Sequence, residues 1–112
     1  MSQVRLEEQM GGAILHLKGQ FIGGAETDEL KQHLQNLSEA NHNSLIINLD
    51  NVTYLNSTAL GVLISSHANF TKRGGKIILC NVSKSIENIF VITKLTLVFT
   101  IADTLEDAKK LF

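Results

Sequence analysis

The sequence predicts a single small α/β domain with a mainly parallel sheet, an antiparallel first strand and about four helices. Apolar segments of strand length alternate with segments of helical periodicity from residue 13 to the end of the chain. The most apolar of these segments, Leu45–Leu49, is nearly continuous, which is typical of a central strand covered on both faces. Right-handed crossovers would join the parallel strands.

The first half of the chain predicts a hairpin followed by a helix. The strands Val4–Leu6 and Ala13–Leu17 are separated by Gly11-Gly12, which permits a tight reversal. After Gly23-Gly24, an acidic turn favours the positive end of a helix dipole. Three leucines then recur on one helical face, Leu30, Leu34 and Leu37. The polar residues 41–44 (Asn-His-Asn-Ser) are expected to end this helix.

The second half predicts two further strands and three helices. A helix begins near Ser57 and ends at the cations and glycines of residues 72–75, before the strand Lys76–Cys80. Its predicted buried face comprises Leu60, Leu63, Ile64 and Ala68. Ser83 can cap a short helix that carries Ile86, Ile89 and Phe90 on one side. Leu97–Ile101 is the predicted last strand, and Thr104–Asp107 resembles a capping box for a terminal helix.

Composition restricts the classes of function. The 112 residues, 44% of them hydrophobic, suit one domain over residues 1–112. The formal net charge of -1 provides no basic field for nucleic acid or an anionic membrane. The N-terminus lacks a basic segment followed by an apolar one, and no apolar run approaches membrane-spanning length. We therefore expect a cytoplasmic protein with no membrane insertion.

The sequence contains no motif for catalysis, a metal or a cofactor. The four histidines share no metal-ligand spacing, and no GxxxxGK[ST] loop is present. No Gly-x-Ser-x-Gly elbow frames Ser57. Cys80, the only cysteine, lies in a predicted buried strand and is interpreted as a core residue. We expect a protein that is not an enzyme and binds neither metal nor cofactor.

The candidate functional site lies in two loops, 19–24 and 51–59. Ligands and partners of such open sheets meet the loops beyond the carboxyl ends of the strands. Ser57 stands where a helix begins, and unpaired backbone N–H groups there tolerate added negative charge. On residue types alone, a simple N-cap at Asn56 or Ser57 is the favoured alternative. The apolar residues Phe21, Ile22, Tyr54 and Leu55 could form a contact patch or belong to the core.

A longer stretch carries a family resemblance. Residues 48–62 (NLDNVTYLNSTALGV) resemble, without a gap, the signature of bacterial anti-sigma factor antagonists, the STAS-domain family. Leu17–Gly19, Gly74–Cys80 and Ile89-Phe90 resemble further family landmarks at the expected separations. The resemblance spans essentially the whole chain.

The resemblance implies an anti-sigma factor antagonist that regulates transcription by partner switching. In such a protein, an anti-sigma kinase uses ATP to phosphorylate the serine that matches Ser57, and a phosphatase restores it. The unphosphorylated form binds the anti-sigma factor and frees a sigma factor. Thr58 is a second, less favoured hydroxyl. The implied partner-contact residues are Phe21, Ile22, Asn56, Ser57, Thr58 and Ala59.

Three departures from the family pattern leave an alternative open. Asn56 replaces the usual aspartate before the serine, Ala59 replaces the usual glycine, and Ile22 stands where another acidic residue is frequent. The site has thus lost negative charge twice. The alternative is a non-phosphorylated scaffold or accessory subunit of a signalling or transporter complex.

Overall fold

The computed structural model describes residues 3–40 and 43–112, which form a five-stranded sheet and four α-helices. The strands lie in the order β1-β2-β3-β4-β5; β1 is antiparallel to β2, and the others are parallel. The predicted fold class is confirmed. The elements are β1 (Val4–Gln9), β2 (Gly12–Phe21), α1 (Ala25–Glu39), β3 (Ser44–Leu55), α2 (Ser57–Lys72), β4 (Lys76–Cys80), α3 (Lys84–Ile92), a 3-10 turn (Leu95–Leu97), β5 (Thr100–Ala102) and α4 (Leu105–Lys109).

The sheet is covered unequally on its two faces. The parallel strands β2 to β5 follow one another across the sheet in chain order. Right-handed crossovers between such strands place the connecting helices on the same face. Accordingly, α1, α2 and α3 share one large core cluster with strand residues such as Leu15 and Ile47. The alternate strand residues, such as Ile14 and Ile46, form a small cluster with Ala108 of α4 on the opposite face. We call this opposite side of the sheet the outer face.

The predicted hairpin is confirmed, and glycine is required at its turn. Gly11 has a φ of +92°, a conformation that side chains rarely adopt. A Cβ on Gly12 would lie 2.2 Å from the carbonyl oxygen of Ser44. The hairpin therefore packs on the start of β3 through a contact that only glycine permits.

Strand β3 is longer than predicted. The prediction ended it at Leu49 and placed a loop from residue 51, whereas the strand continues to Leu55. Two register shifts against β2 insert extra residues into β3. These bulges return Val52 and Leu55 to the core, with exposed residues between them. Because the bulges interrupt the alternation of buried and exposed residues, the sequence pattern did not indicate the second half of the strand.

The predicted last strand, Leu97–Ile101, is wrong at its beginning. Leu97 lies in a 3-10 turn and is 83% exposed, and β5 starts only at Thr100. Phe99 anchors the connection, since its ring packs on His67 with centroids 5.2 Å apart. An apolar run of this kind fits a strand by propensity, but the chain first makes a 3-10 turn and packs Phe99 against His67 of α2.

The buried face of α2 is also corrected. Ile64 and Ala68 were predicted to be buried, yet both are exposed. Helical spacing from Leu60 reaches both Leu63 and Ile64, so periodicity alone does not choose between them. The observed buried residues are Ala59, Leu60, Leu63, Ser66 and Phe70.

Other local predictions are confirmed. The Ser83 hydroxyl accepts from the backbone N–H of Ile86 at 3.3 Å, and the Thr104 hydroxyl accepts from that of Asp107 at 3.1 Å. The predicted leucines of α1 are buried. Positions 41 and 42 of the predicted helix break lie outside the described residues. Within the described ranges, no helix has the length and apolar character needed to cross a membrane.

Candidate functional site

The loops that follow β2 and β3 meet at one end of the sheet. Phe21 pairs with Leu55 in the parallel register, and the N–H of Asn56 donates to the Phe21 carbonyl at 3.0 Å. A Cβ on Gly23 would lie 3.5 Å from Cβ of Thr58 and 3.6 Å from Nδ2 of Asn56. The loop 22–24 therefore contacts the first turn of α2.

Asn56 is the N-cap of α2. Its backbone is extended, and its Oδ1 accepts from the N–H of Ala59 at 3.0 Å. Its carbonyl accepts the first intrahelical bond, from Leu60, at 3.0 Å. Ser57 is therefore the first residue inside the helix, where its own N–H and that of Thr58 have no intrahelical carbonyl to bind.

The hydroxyl groups of Ser57 and Thr58 lie at the surface, since both residues are exposed. Ile22 is 53% exposed, and Tyr54, on the neighbouring strand, is 47% exposed. Asn56 is half-buried. We call Ile22, Tyr54, Asn56, Ser57 and Thr58 together the α2-start surface; Ile22 and Tyr54 contribute apolar groups, Asn56 an amide, and Ser57 and Thr58 hydroxyls.

Two of the expected contact residues are buried. Phe21 and Ala59 have no exposed area, because Phe21 points into the core from β2 and Ala59 lies on the buried face of α2. Their predicted role as direct contacts is corrected to support beneath the surface. Leu55, at 1% exposure, is likewise a core residue.

Sequence reasoning missed the role of Glu26. Its carboxylate turns back over the loop and accepts hydrogen bonds from the N–H groups of Ile22 (3.2 Å), Gly24 (2.9 Å) and Thr27 (2.8 Å). The Thr27 hydroxyl donates to the same oxygen at 2.5 Å. The Thr27 hydroxyl bond, followed by the backbone N–H groups, lowers the pKa of Glu26, although burial acts in the opposite direction.

Glu26 thus supplies an ionised carboxylate to a loop that lacks one at position 22. The sequence signal for this role is the acidic first turn of α1, which includes Glu26. The sequence analysis related that turn only to the helix dipole. Gly24, the N-cap of α1, has no side chain to satisfy the first N–H groups, and Glu26 performs that role instead. The local negative charge is therefore larger than Asn56 and Ile22 suggest.

A groove continues from Thr58 between α1 and α2. Its volume is about 290 Å³. Lys31 contributes the one charged side chain among its lining residues, which are Lys31, Gln35, Thr58, Gly61, Val62, Ser65, Ser66 and Asn69. The groove extends the α2-start surface along the two helices.

Two of the histidines make their contacts away from Ser57. His16 lies on the outer face, hydrogen-bonded to Glu7 and Asn48, and His67 packs on Phe99. In residues 3–40 and 43–112, no group of three or more His, Cys, Asp or Glu side chains is placed to hold a metal ion. The site presents a hydroxyl at a helix start.

The model of the STAS domain family matches residues 3–108. The chain belongs to the STAS domain family. Its fold is similar to that of an anti-sigma factor antagonist from Mycobacterium paratuberculosis, with a TM-score of 0.85, 21% identity, and coverage of 96% of this chain and 91% of that one. The family match confirms the STAS resemblance predicted from the sequence.

Two further proteins of known structure share the STAS fold. Unphosphorylated SpoIIAA matches with a TM-score of 0.77 and 15% identity, covering 96% of this chain and 94% of that one. SpoIIAA of Bacillus has also been solved in the phosphorylated form. A sulfate transporter family protein from Wolinella succinogenes matches with a TM-score of 0.78 and 21% identity, covering 89% and 83%. The STAS fold therefore occurs in more than one kind of protein.

Proposed function

We propose that this STAS domain is an anti-sigma factor antagonist that regulates transcription by phosphorylation-controlled partner switching. The observation that carries the proposal is the exposed hydroxyl of Ser57, the first residue of α2. The fold similarity to SpoIIAA, which exists in unphosphorylated and phosphorylated forms, supports it. The partners are an anti-sigma factor with serine kinase activity and a cognate phosphatase.

The helix start can hold a phosphate that a docked partner cannot tolerate. A phosphoserine carries a charge of about -1.5 to -2 at neutral pH. The free N–H groups of Ser57 and Thr58 and the positive end of the helix dipole favour that charge when the site is open to water. A partner that covers the site would bury the charge beside the Glu26 carboxylate and the apolar side chain of Ile22. Phosphorylation therefore releases the partner.

In this proposal the chain is a substrate and a ligand rather than a catalyst. The kinase supplies ATP and the groups that transfer the phosphoryl group, while this chain presents Ser57. A cytoplasmic location follows from the same partners, and direct contact with nucleic acid has no role. The formal net charge of -1 agrees with binding to protein rather than to a polyphosphate chain.

The test is phosphopeptide analysis of the protein isolated from its native cells. We expect a phosphate on Ser57 in a fraction of the molecules under some growth or stress conditions. Ser57→Ala should abolish the modification, and Thr58→Ala, which changes the adjacent exposed hydroxyl, should retain it. Absence of phosphate under every condition, or its persistence in Ser57→Ala, would contradict the proposal.

A second function is favoured by Asn56 and Ile22. Asn56 uses its side chain as the helix cap, and Ile22 adds no carboxylate, so the site lacks two acidic groups that the family pattern places there. The similarity to a sulfate transporter family protein agrees with a constitutive accessory subunit. Ser57→Asp separates the two functions, since it should weaken partner binding in a switch relative to Ser57→Ala. Equal binding by both variants would favour the accessory role.

A further inference from the structure

Part of the outer face of the sheet, around Arg5, His16 and Asn48, lies outside the cluster that α4 covers. The connecting helices lie on the other face, and α4 covers the cluster around Ile46 and Ile78. A pocket of about 220 Å³ opens in this uncovered region. We call it the outer-face pocket; its lining residues are Gln3, Arg5, His16, Leu17, Lys18, Asn48 and Asn51.

Hydrogen bonds across the strands fix the floor of this pocket. The backbone N–H of Asp50 donates to Oδ1 of Asn48 at 3.1 Å, and Nδ2 of Asn81 donates to the same oxygen at 3.0 Å. Nδ2 of Asn48 therefore faces Nδ1 of His16, at 3.0 Å, and donates to it. Nε2 of His16 then carries the hydrogen and donates to Oε1 of Glu7 at 2.9 Å. The network holds His16 and Asn48 in fixed orientations.

The sheet register brings the remaining polar groups to the same place. Arg5 lies directly opposite His16 on β1, and Lys18 pairs with Asn51 after the first bulge in β3. Without that bulge, the residue opposite Lys18 would be Asp50, so the bulge exchanges a carboxylate for an amide at this position. At the edge of the pocket, the side-chain amide of Gln3 donates to the Lys18 carbonyl at 2.9 Å.

The pocket has a positive charge although the whole chain does not. Its described lining carries the guanidinium of Arg5 and the ammonium of Lys18, and it includes no carboxylate. Glu7 is held by His16 and Gln9, and its Oε1 is 4.0 Å from Nη1 of Arg5. Such a long, exposed ion pair leaves most of the donors of Arg5 free. The formal net charge of the chain is -1, so this concentration of cations is local.

Size and donor chemistry define the ligand. Pockets for organic ligands span about 300 to 1,000 Å³, so this one is too small for a nucleotide. A planar guanidinium fork, an ammonium and an amide together provide charge-assisted hydrogen bonds to a tetrahedral oxyanion. We propose that the outer-face pocket binds a small free oxyanion, phosphate or sulfate, through Arg5, Lys18 and Asn51. This site is separate from Ser57 and does not depend on its phosphorylation.

The test is a titration of the ¹⁵N-labelled protein with sodium phosphate or sodium sulfate, followed by NMR. Sodium chloride keeps the ionic strength constant. We expect saturable shifts of the side-chain amide of Asn51 and the backbone N–H of Lys18. Arg5→Gln and Lys18→Gln should each weaken the affinity roughly tenfold, because each removes a charge-assisted interaction. The Arg5 and Lys18 side chains are exposed, so these variants retain the fold.

Matched variants make the test specific. Lys72→Gln removes the same charge at the exposed end of α2 and should leave the affinity unchanged. Ser57→Ala should also leave it unchanged, which separates this site from the proposed switch. Asn51→Asp puts a carboxylate into the pocket and should abolish binding. Shifts that never saturate, or equal affinity in the Arg5→Gln and Lys18→Gln double variant, would overturn the proposal.

Discussion

Single polar residues at the α2-start surface have roles that their types alone do not reveal. Glu26 binds three backbone N–H groups and one hydroxyl, so it is a loop-fixing residue as well as a favourable charge at a helix start. Asn56 occupies the position where the family pattern has an aspartate, and it keeps the capping function through its side-chain oxygen. The replacement therefore removes a charge but preserves the start of α2.

Glu26→Gln should change the dependence of stability on pH. The hydrogen bonds lower the pKa of Glu26 in the folded state from its ordinary value of 4.5. Its contribution to the free energy of unfolding is therefore present above that value and is lost as the pH falls through the folded-state pKa. We expect Glu26→Gln to be less stable at neutral pH and to lose less stability on acidification. Urea unfolding at neutral and acidic pH measures both effects.

Glu8→Gln is the matched control for Glu26, because Glu8 is an exposed glutamate on β1. Its unfolding free energy should follow that of the natural sequence across the same pH range. If Glu26→Gln and Glu8→Gln gave the same profile, the bonds between Glu26 and the loop would contribute nothing to folding.

At the scale of elements, α2 depends on a correctly capped first turn. Asn56→Ala removes the acceptor for the N–H of Ala59 and should lower the free energy of unfolding by about 1 kcal/mol. Asn56→Asp retains a side-chain oxygen and should keep the stability of the natural sequence or exceed it slightly, since an acid favours the helix dipole. Chemical denaturation of the three proteins provides the comparison. A fully stable Asn56→Ala would show that the cap is dispensable.

Elements differ in how well the sequence specifies them. The beginnings of α3 and α4 were predicted correctly because the hydroxyl caps, Ser83 and Thr104, bind backbone N–H groups within the same turn. The second half of β3 and the start of β5 were not predicted correctly. The bulges of β3 against β2 and the packing of Phe99 on His67 involve residues distant in sequence. Local signals therefore predicted the helix starts better than the strand ends.

On the scale of the whole molecule, the two faces of the sheet are covered to different depths. Three helices pack on one face, and α4 alone closes the small cluster that contains Cys80. Burial, with a further effect from Asp50, raises the pKa of the Cys80 thiol to about 11. The thiol is therefore protonated at neutral pH and reports on the opening of this face.

Loosening α4 should increase the reactivity of Cys80. Leu105 is partly buried against the Cys80 cluster, so Leu105→Ala weakens the cover of that face. We expect faster labelling by a thiol reagent at neutral pH under native conditions. Ile89→Ala is the control, because Ile89 is a partly buried aliphatic residue that packs on the large core instead. Equal labelling rates in the two variants would mean that Cys80 reacts only after global unfolding.

The sequence by itself determined the alternation of strands and helices, the hairpin, the caps of α3 and α4, and the family of the chain. These features depend on periodicity and on contacts within a few residues. Only the tertiary structure decided that Phe21 and Ala59 are buried, that Ile64 is exposed, and that Arg5, Lys18 and Asn51 converge on the outer face. The reason is physical: burial and convergence depend on strand register and helix packing, which bring together residues far apart in the chain.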